Sequence, residues 1–213
     1  MSYRRHKMMQ SKNPYDEYGY IKNGKIFHLD GIDKGETSGA WTDLIGGWVF
    51  SPSGNVTFND DNIQISSNGY LSHNGLMDGN RNATIEVVAT MSTGSLITLG
   101  IGRFPYICFY NDNGNICFLQ NGNLYKITND NNVHAISLNL NTGLYDGTTI
   151  TKLSSIDYWA NDGGYSYIGK RSRGNYYTGK IHSIRIYNRQ LSNKEQLHNQ
   201  QIDNVRFNLG LTI

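Results

Sequence analysis

The sequence predicts an antiparallel β-sandwich with one short helix near its C-terminus. Three observations lead there. Short segments suited to strands recur along the chain, with Gly, Asn and Asp between them, residues that tolerate positive φ or bond their own backbone. Helical stretches rich in Leu, Ala, Glu and Lys are missing, and Glu occurs only at Glu17, Glu36, Glu86 and Glu195. One segment alone, SNKEQLHNQQID, carries a helix start, with Ser192 and Glu195 at capping-box spacing.

Taken in order, residues 1–20 read as a polar, basic arm without periodicity. Strand signals then follow at 25–31, 46–51, 55–58, 62–66 and 69–72. The clearest is NATIEVVATM (82–91). Ala83, Ile85, Val87, Ala89 and Met91 fall on one face, and Thr84, Glu86, Val88 and Thr90 on the other. Further strands are expected at 95–102, 123–128, 133–140, 149–154, 165–170 and 179–188. The capped helix should cover about 193–203, leaving NVRFNLGLTI as a last strand or a tail. More than ten such strands argue for two sheets packed face to face.

The two cysteines lie in a hairpin, PYICFYNDNGNICFLQ. An Asp112–Asn113 loop puts Cys108 opposite Cys117. The commoner Asn113–Gly114 turn puts Cys108 opposite Leu119, which favours two free thiols.

Composition narrows the function. A chain of 213 residues, 38% apolar, suits one large sandwich spanning 21–213. No apolar run reaches the ~18 residues of a membrane-spanning helix, so no membrane insertion is expected. The first residues lack the apolar stretch of a secretory signal, so classical export is not expected. Arg4, Arg5, Lys7 and Lys12 make the arm basic, whereas the remainder holds 15 basic and 17 acidic residues. A nearly neutral body lacks the basic face of a nucleic-acid binder.

Two segments carry a family pattern: GKIFHLDGIDKGETSGAWTDLIGG and YSYIGKRSRGNYYTGKIHSIRIYNRQLSNKEQ. The second resembles the closing strands of laminin-G-like, concanavalin A-like domains. Leu144–Tyr145–Asp146–Gly147 is similar to a hairpin of that family, one residue shorter. The resemblance implies a jelly-roll sandwich. Such domains occur in adhesins, glycan-binding modules, sialidase-associated lectin domains and phage structural proteins. The opening LDG…W-x-D-L-x-G after a short basic, Met-containing start looks most like the phage versions. That implies a bacteriophage virion component (head fibre, capsid decoration, collar or tail), assembled in the bacterial cytoplasm. A stand-alone carbohydrate-binding module or adhesin, extracellular or at the cell surface, is the alternative, and a jelly-roll glycosidase a remote one.

Site chemistry is sparse. A glycosidase needs two carboxylates flanking the scissile bond, and Glu86 has no second acid within four residues. No G-x-S-x-G occurs, and His28, His134 and His182 sit in strand patterns as structural residues. No enzyme activity is therefore expected. No cofactor motif is present. Calcium has oxygen donors available in Asp157, Asn161 and Asp162 and in Asp30 and Asp33, but without EF-hand spacing, and turn formation accounts for them. The ligand candidates are Asp157, Trp159, Asp162, Arg171, Arg173, Tyr176 and Tyr177, flat rings with flanking polar groups. They fit a host-surface glycan, a partner protein or the core. Tyr165 and Tyr167 share one face, so they are core or surface as a unit. In the arm, Tyr3, Arg4, Arg5, Lys7, Met8 and Met9 are the candidate anchor to other virion proteins, with Met side chains moulding to a partner. A homo-oligomer is expected on symmetry grounds, and a homotrimer suits a fibre.

Overall fold

The computed structural model describes residues 13–35, 38–75, 83–90, 92, 94–99, 106–112, 115–120, 123–128, 130–139, 143–150, 154–155, 165–170, 174 and 176–213. Their strands are β1 (Lys25–Asp30), β2 (Trp41–Thr42), β3 (Val49–Ser53), β4 (Val56–Phe58), β5 (Ile63–Ile65) and β6 (Tyr70–Asn74). Next come β7 (Thr84–Thr90), β8 (Gly94–Thr98), β9 (Tyr106–Asp112), β10 (Asn115–Gln120), β11 (Asn123–Thr128) and β12 (Val133–Leu138). β13 (Gly143–Tyr145), β14 (Thr148–Ile150), β15 (Ser154–Ser155), β16 (Tyr165–Ile168) and β17 (Gly179–Tyr187) complete them, followed by helix α1 (Asn193–Arg206).

These strands form two antiparallel sheets. The first runs β14-β13-β12-β7-β17-β5-β4, with β1 also paired to β17. The second runs β15-β11-β10-β9-β8-β16-β6-β3-β2. Phe27, Leu29, Trp41, Phe50, Ile63, Leu71, Ile85, Val87, Leu96, Ile168, Ile181 and Ile184 share one apolar core. The expected antiparallel sandwich is therefore the fold.

Strand alternation explains who faces that core. In β7, Ile85, Val87 and Ala89 join it, as does Ala83 just before the strand. Thr84, Glu86 and Val88 point the other way, yet they too are buried. In β17 the register shifts between Ile181 and Ser183, so the inward series passes from Ile181 to Ile184 and Ile186. Ser183, Arg185 and Tyr187 then lie on the outer face, also buried.

What covers that outer face is α1, by an unusual means. Its buried residues are Gln196, Asn199, Gln200 and Asp203, a polar stripe at helical spacing. Asn199 Nδ2 donates to Glu86 (2.9 Å) and to the Tyr187 hydroxyl (3.0 Å). Gln200 Nε2 reaches the carbonyls of Ala135 and Leu144, both at 3.1 Å. Asp203 takes two hydrogen bonds from the Arg185 guanidinium, at 2.7 and 2.6 Å. Arg185 also donates to Glu86 at 2.9 Å. Burial works against the guanidinium charge, but Asp203, Tyr20 and Glu86 outweigh it and raise its pKa.

The capping box is present: Ser192 Oγ accepts from Glu195 N, and the Glu195 carboxylate accepts from Ser192 N. The helix runs three residues past the expected end. The chain after it is a tail rather than a strand, with Phe207, Leu209 and Leu211 packed beside Val88 and Ala135. Residues 13–20, placed in the arm by sequence, belong to the folded body. Tyr20 is fully buried, its hydroxyl donates to Asp203 (2.9 Å), and Ile21 N donates to Asn199 (3.0 Å). In the cysteine hairpin Cys108 pairs with Leu119 and Cys117 with Tyr110, the register of the Asn113–Gly114 alternative.

Replacing Arg185 by Met strands two buried carboxylates, and about 3–5 kcal/mol of stability should be lost in urea denaturation. Val205→Ala, at an exposed position of the same helix, should stay within about 0.5 kcal/mol. A loss below about 1 kcal/mol in Arg185→Met, within the range of ordinary substitutions, would contradict this account of the triad.

Candidate functional site

The outer face of the second sheet carries a cluster of tyrosines. In β16, Ser166 and Ile168 are buried, whereas Tyr165 and Tyr167 project outward. Tyr165 is 44% exposed, so the pair is surface as a unit. The Ser166 hydroxyl lies within hydrogen-bond reach of the Gly75 (2.7 Å) and Leu99 (2.9 Å) carbonyls, which fixes the strand's inner face.

Neighbouring strands extend the cluster. Tyr167 is directly opposite Ser72 of β6, so Tyr70 is its diagonal neighbour on the same face. Opposite Ser72 and Tyr70 across the next pairing stand Ser51 and Ser53 of β3, small residues beside the rings. Ring centroids are 6.1 Å apart for Tyr165–Tyr167, 6.0 Å for Tyr70–Tyr167 and 6.3 Å for Tyr70–Tyr176. The Lys170 ammonium lies 3.7 Å from the Tyr70 ring centroid and 4.5 Å from that of Tyr167, a double cation–π arrangement. The Ser53 hydrogen bond, and then the charge and hydrogen bond of Lys170, draw the Tyr70 phenol below its ordinary pKa.

The chain after Lys170 returns to the same place. Tyr177 N donates to the Gly169 carbonyl at 2.9 Å, and Gly169 N to that of Leu96 at 2.8 Å. Tyr176 is exposed, but Tyr177 is fully buried, with its hydroxyl donating to the Thr90 carbonyl at 2.8 Å. Tyr177 is thus a core residue, not a ligand contact, because adjacent residues in extended chain face opposite ways. Gly94 lets this crossing pass close to β8: its φ is +112°, and an added Cβ would stand 2.2 Å from the Tyr176 carbonyl oxygen.

Of the sequence-derived candidates, Tyr176 joins the cluster. Asp157, Trp159, Asp162, Arg171 and Arg173 lie outside the described residues, as do Tyr3, Arg4, Arg5, Lys7, Met8 and Met9. Tyr70 and Lys170 were not singled out by sequence. GYLS reads only as a strand, and its pairing with a strand more than 90 residues away has no local signal.

Other polar clusters are structural. Glu86 is fully buried beneath α1, where it accepts hydrogen bonds from Arg185, Asn199 and Ser137 and faces no solvent. Asp30 closes a turn by accepting from Ile32 N and Asp33 N and pairs with Arg206 at 2.8 Å. Burial opposes its charge, but His28, the Asp33 amide and Arg206 bring it down to about 2. Among the described residues, no three His, Cys, Asp or Glu side chains are grouped to hold a metal. Nor is any helix among them long and apolar enough to cross a membrane. A surface depression of about 1130 Å³ runs along Asn13–Glu17, Lys22, Lys25 and Ile45. Tyr15, the aromatic ring among its described lining residues, is stacked on His198 at 4.6 Å.

His134 stands between two carboxylates. Its Nδ1 meets Asp146 and its Nε2 meets Asp130 at 3.0 Å, with the ring stacked on Tyr145. Asp146 (φ +46°) and Gly147 (φ +77°) form the two-residue turn between β13 and β14 that the Leu144–Gly147 fragment marks. Burial pulls the imidazole pKa down, but the bonds from Asp146 and Asp130 prevail and raise it above 6.5.

No family model matches the chain, and no curated protein sequence does. Solved structures do share its fold. The domain described as HCR/D-Sa-GBL1/C is 13% identical with a TM-score of 0.58, over 83% of this chain and 51% of that one. Trypanosoma rangeli sialidase is 12% identical with a TM-score of 0.53, over 86% of this chain and 33% of that one. The same sialidase in complex with sialic acid aligns with a TM-score of 0.52 at 12% identity, again over 86% and 33%. This chain therefore spans about a third of the sialidase and half of the HCR protein, and the likeness is one of fold.

Because the folded-state pKa of His134 is raised, its stabilising contribution is complete below about pH 6.5 and is lost as pH rises through the raised value. Urea denaturation at stepped pH should show the wild type losing its advantage over His134→Asn from about pH 6.5 upward. A gap between the two that stays constant through that window would refute the pairing.

Proposed function

We propose that the sandwich is a glycan-binding domain whose ligand lies on the outer face of the second sheet, across Tyr70, Tyr165, Tyr167 and Tyr176. The observation that carries this reading is the adjacency of four tyrosine rings, neighbours 6.0–6.3 Å apart, on a sheet face. A sugar ring offers an apolar face and a rim of hydroxyls. Phenol rings match the first, and phenol hydroxyls with Ser51, Ser53 and Ser72 match the second. One fold neighbour is a sialidase solved with sialic acid, a sugar-handling protein, which supports the reading at the level of fold.

The action is binding rather than turnover. Glu86, the strand carboxylate closest to a glycosidase acid by sequence, is paired to Arg185 and buried away from this face.

A glycan array followed by calorimetric titration of the best ligand tests the site. Tyr165→Ala and Tyr167→Ala should each weaken binding by about two- to tenfold, the range set by ~0.5–1.5 kcal/mol of ring contact. Unchanged affinity in the double variant, or an array without a ligand, would refute the proposal.

A second reading concerns the whole chain: a bacteriophage virion component anchored by its basic arm. It is supported by the resemblance of the opening LDG…W-x-D-L-x-G segment, after a short basic, Met-containing start, to phage versions of this domain, and by four cations without an acid in residues 1–12. Deleting residues 1–12 leaves the packed segment 13–21 in place. The truncated protein should keep its melting temperature and fail to enter the particle. Incorporation at the full-length level would remove the anchoring role.

A further inference from the structure

We infer that residues 13–21 form an acid-released strap: protonation of His28 beneath them loosens the segment that joins the basic arm to the sandwich. The strap lies on the first sheet and does not rest on the glycan-binding reading.

The segment closes on itself. Tyr15 and Ile21 form a bridge, Asp16 N donates to the Tyr20 carbonyl at 2.9 Å, and Lys22 N donates to that of Pro14 at 2.9 Å. Its ties to the body are made largely by side chains. Lys25 pairs with Asp16, Tyr18 donates its hydroxyl to Asp33 (2.5 Å), and Tyr20 donates its own to Asp203 (2.9 Å). Ile21 N reaches Asn199 at 3.0 Å, and the Gly19 carbonyl lies 2.9 Å from His198 Nε2. Under this cover His28 is fully buried, with the Tyr18 and Tyr20 rings edge-on to its imidazole at 5.6 and 5.4 Å. Strand β1 is fixed at this point, because His28 N donates to Asp43 (2.8 Å) and Leu44 N donates to the His28 carbonyl (2.9 Å). The strap is therefore the part that can lift and admit water to the ring.

A neutral imidazole fits this site and a charged one does not. Lys25 Nζ stands 3.5 Å from His28 Nδ1. An ammonium can only donate, so Nδ1 accepts and the neutral ring carries its proton on Nε2. Nε2 lies 3.5 Å from Asp30 Oδ2, an oxygen that Arg206 of α1 already holds at 2.8 Å. A second proton would sit on Nδ1, against the same ammonium that ties down Asp16 of the strap. The surrounding carboxylates have partners of their own. Asp30 has Arg206, Asp43 has the amides of Ile45 and Gly46, and Asp16 has Lys25. Glu86 on β7 and Asp203 on α1 share Arg185 of β17. Burial above all, then Lys25 and Arg185, bring the imidazole pKa down to about 4 against the pull of Asp30. Because the folded-state pKa is depressed, the closed strap has its full advantage above about pH 6.5 and loses it as pH falls from there toward about 4.

Amide hydrogen exchange of the full chain tests the strap through Tyr18, Tyr20 and Ile21, whose amides donate to Asp16, Asp16 and Asn199. After correction for intrinsic exchange rates, their protection should fall on the order of twentyfold between about pH 7.5 and about pH 5. At both values it should stay below that of the β7 amides, the mark of a local opening. His28→Gln should cut the fall to less than about threefold. His198→Gln, which alters the strap's contacts at Gly19 and Tyr15, should leave the fall in place. The His28 ring of the wild type, followed by NMR, should titrate near its depressed value, a readout that needs no variant to fold. Constant strap protection across the range overturns the inference, as does protection equal to that of β7 at every pH. So does a fall that persists in His28→Gln or disappears in His198→Gln, or a His28 ring that titrates near 6.5.

Discussion

Arg185 is a cation removed from water, and the architecture on one side of the sandwich follows from what that requires. An ion buried in protein needs charge partners and satisfied donors. Glu86 supplies one carboxylate from β7 and Asp203 the other from α1, at 2.9 and 2.6 Å. The Tyr20 ring lies over the guanidinium at 3.9 Å, and its hydroxyl donates to Asp203. Two central strands, the C-terminal helix and the segment before β1 therefore converge on one side chain. The segment before β1, the strand β7 and the β17–α1 unit are far from one another in sequence, so the triad fixes their relative placement rather than merely adding stability.

The helix docks accordingly. A helix seated by an apolar stripe tolerates small sliding, because burial of apolar area has no direction. Here Gln196, Asn199, Gln200 and Asp203 are buried; Asn199, Gln200 and Asp203 bond groups of the sheet, and Gln196 Nε2 donates to the Leu191 carbonyl before the helix at 3.1 Å. Displacement by a residue would leave several buried polar groups unpaired, each costing about 1–3 kcal/mol. The same stripe ties in the β13–β14 turn, where Gly147 N donates to Gln200 at 2.7 Å.

This mode of docking also explains what could be read from the sequence and what could not. Alternation in β7 identified its core face because one face meets apolar residues across the sandwich. The Ser192–Glu195 cap and the Asn113–Gly114 hairpin register were legible because both are local. The docking face of α1 was not, since a polar stripe looks like a solvated one. Nor was the tyrosine cluster complete: Tyr165 and Tyr167 announced themselves as a unit, but their side of the sheet depends on which face the core takes. Tyr70 and Lys170 reach them only through the β6–β16 pairing, which tertiary packing sets. The two-residue strands β2 and β15 carry too few positions for any period to show.

The placement of function follows from this unequal treatment of the two sheets. The first sheet's outer face carries Glu86, Arg185 and Tyr187, all buried beneath α1. The second sheet presents Tyr165 and Tyr176 to solvent, with Lys170 beside them. Rings on a surface lose the burial that normally stabilises them, and it is this exposed cluster on which the proposed glycan contact rests. The two cationic features also differ in kind. In the arm, four cations stand within twelve residues of sequence, a field that acts at a distance on a large partner. At the sheet, one ammonium lies 3.7 and 4.5 Å from the centroids of two rings and is engaged within the cluster itself. The proposed anchoring and the proposed glycan contact therefore draw on different groups, the cations of the arm and the rings of the sheet, and substitutions separate them.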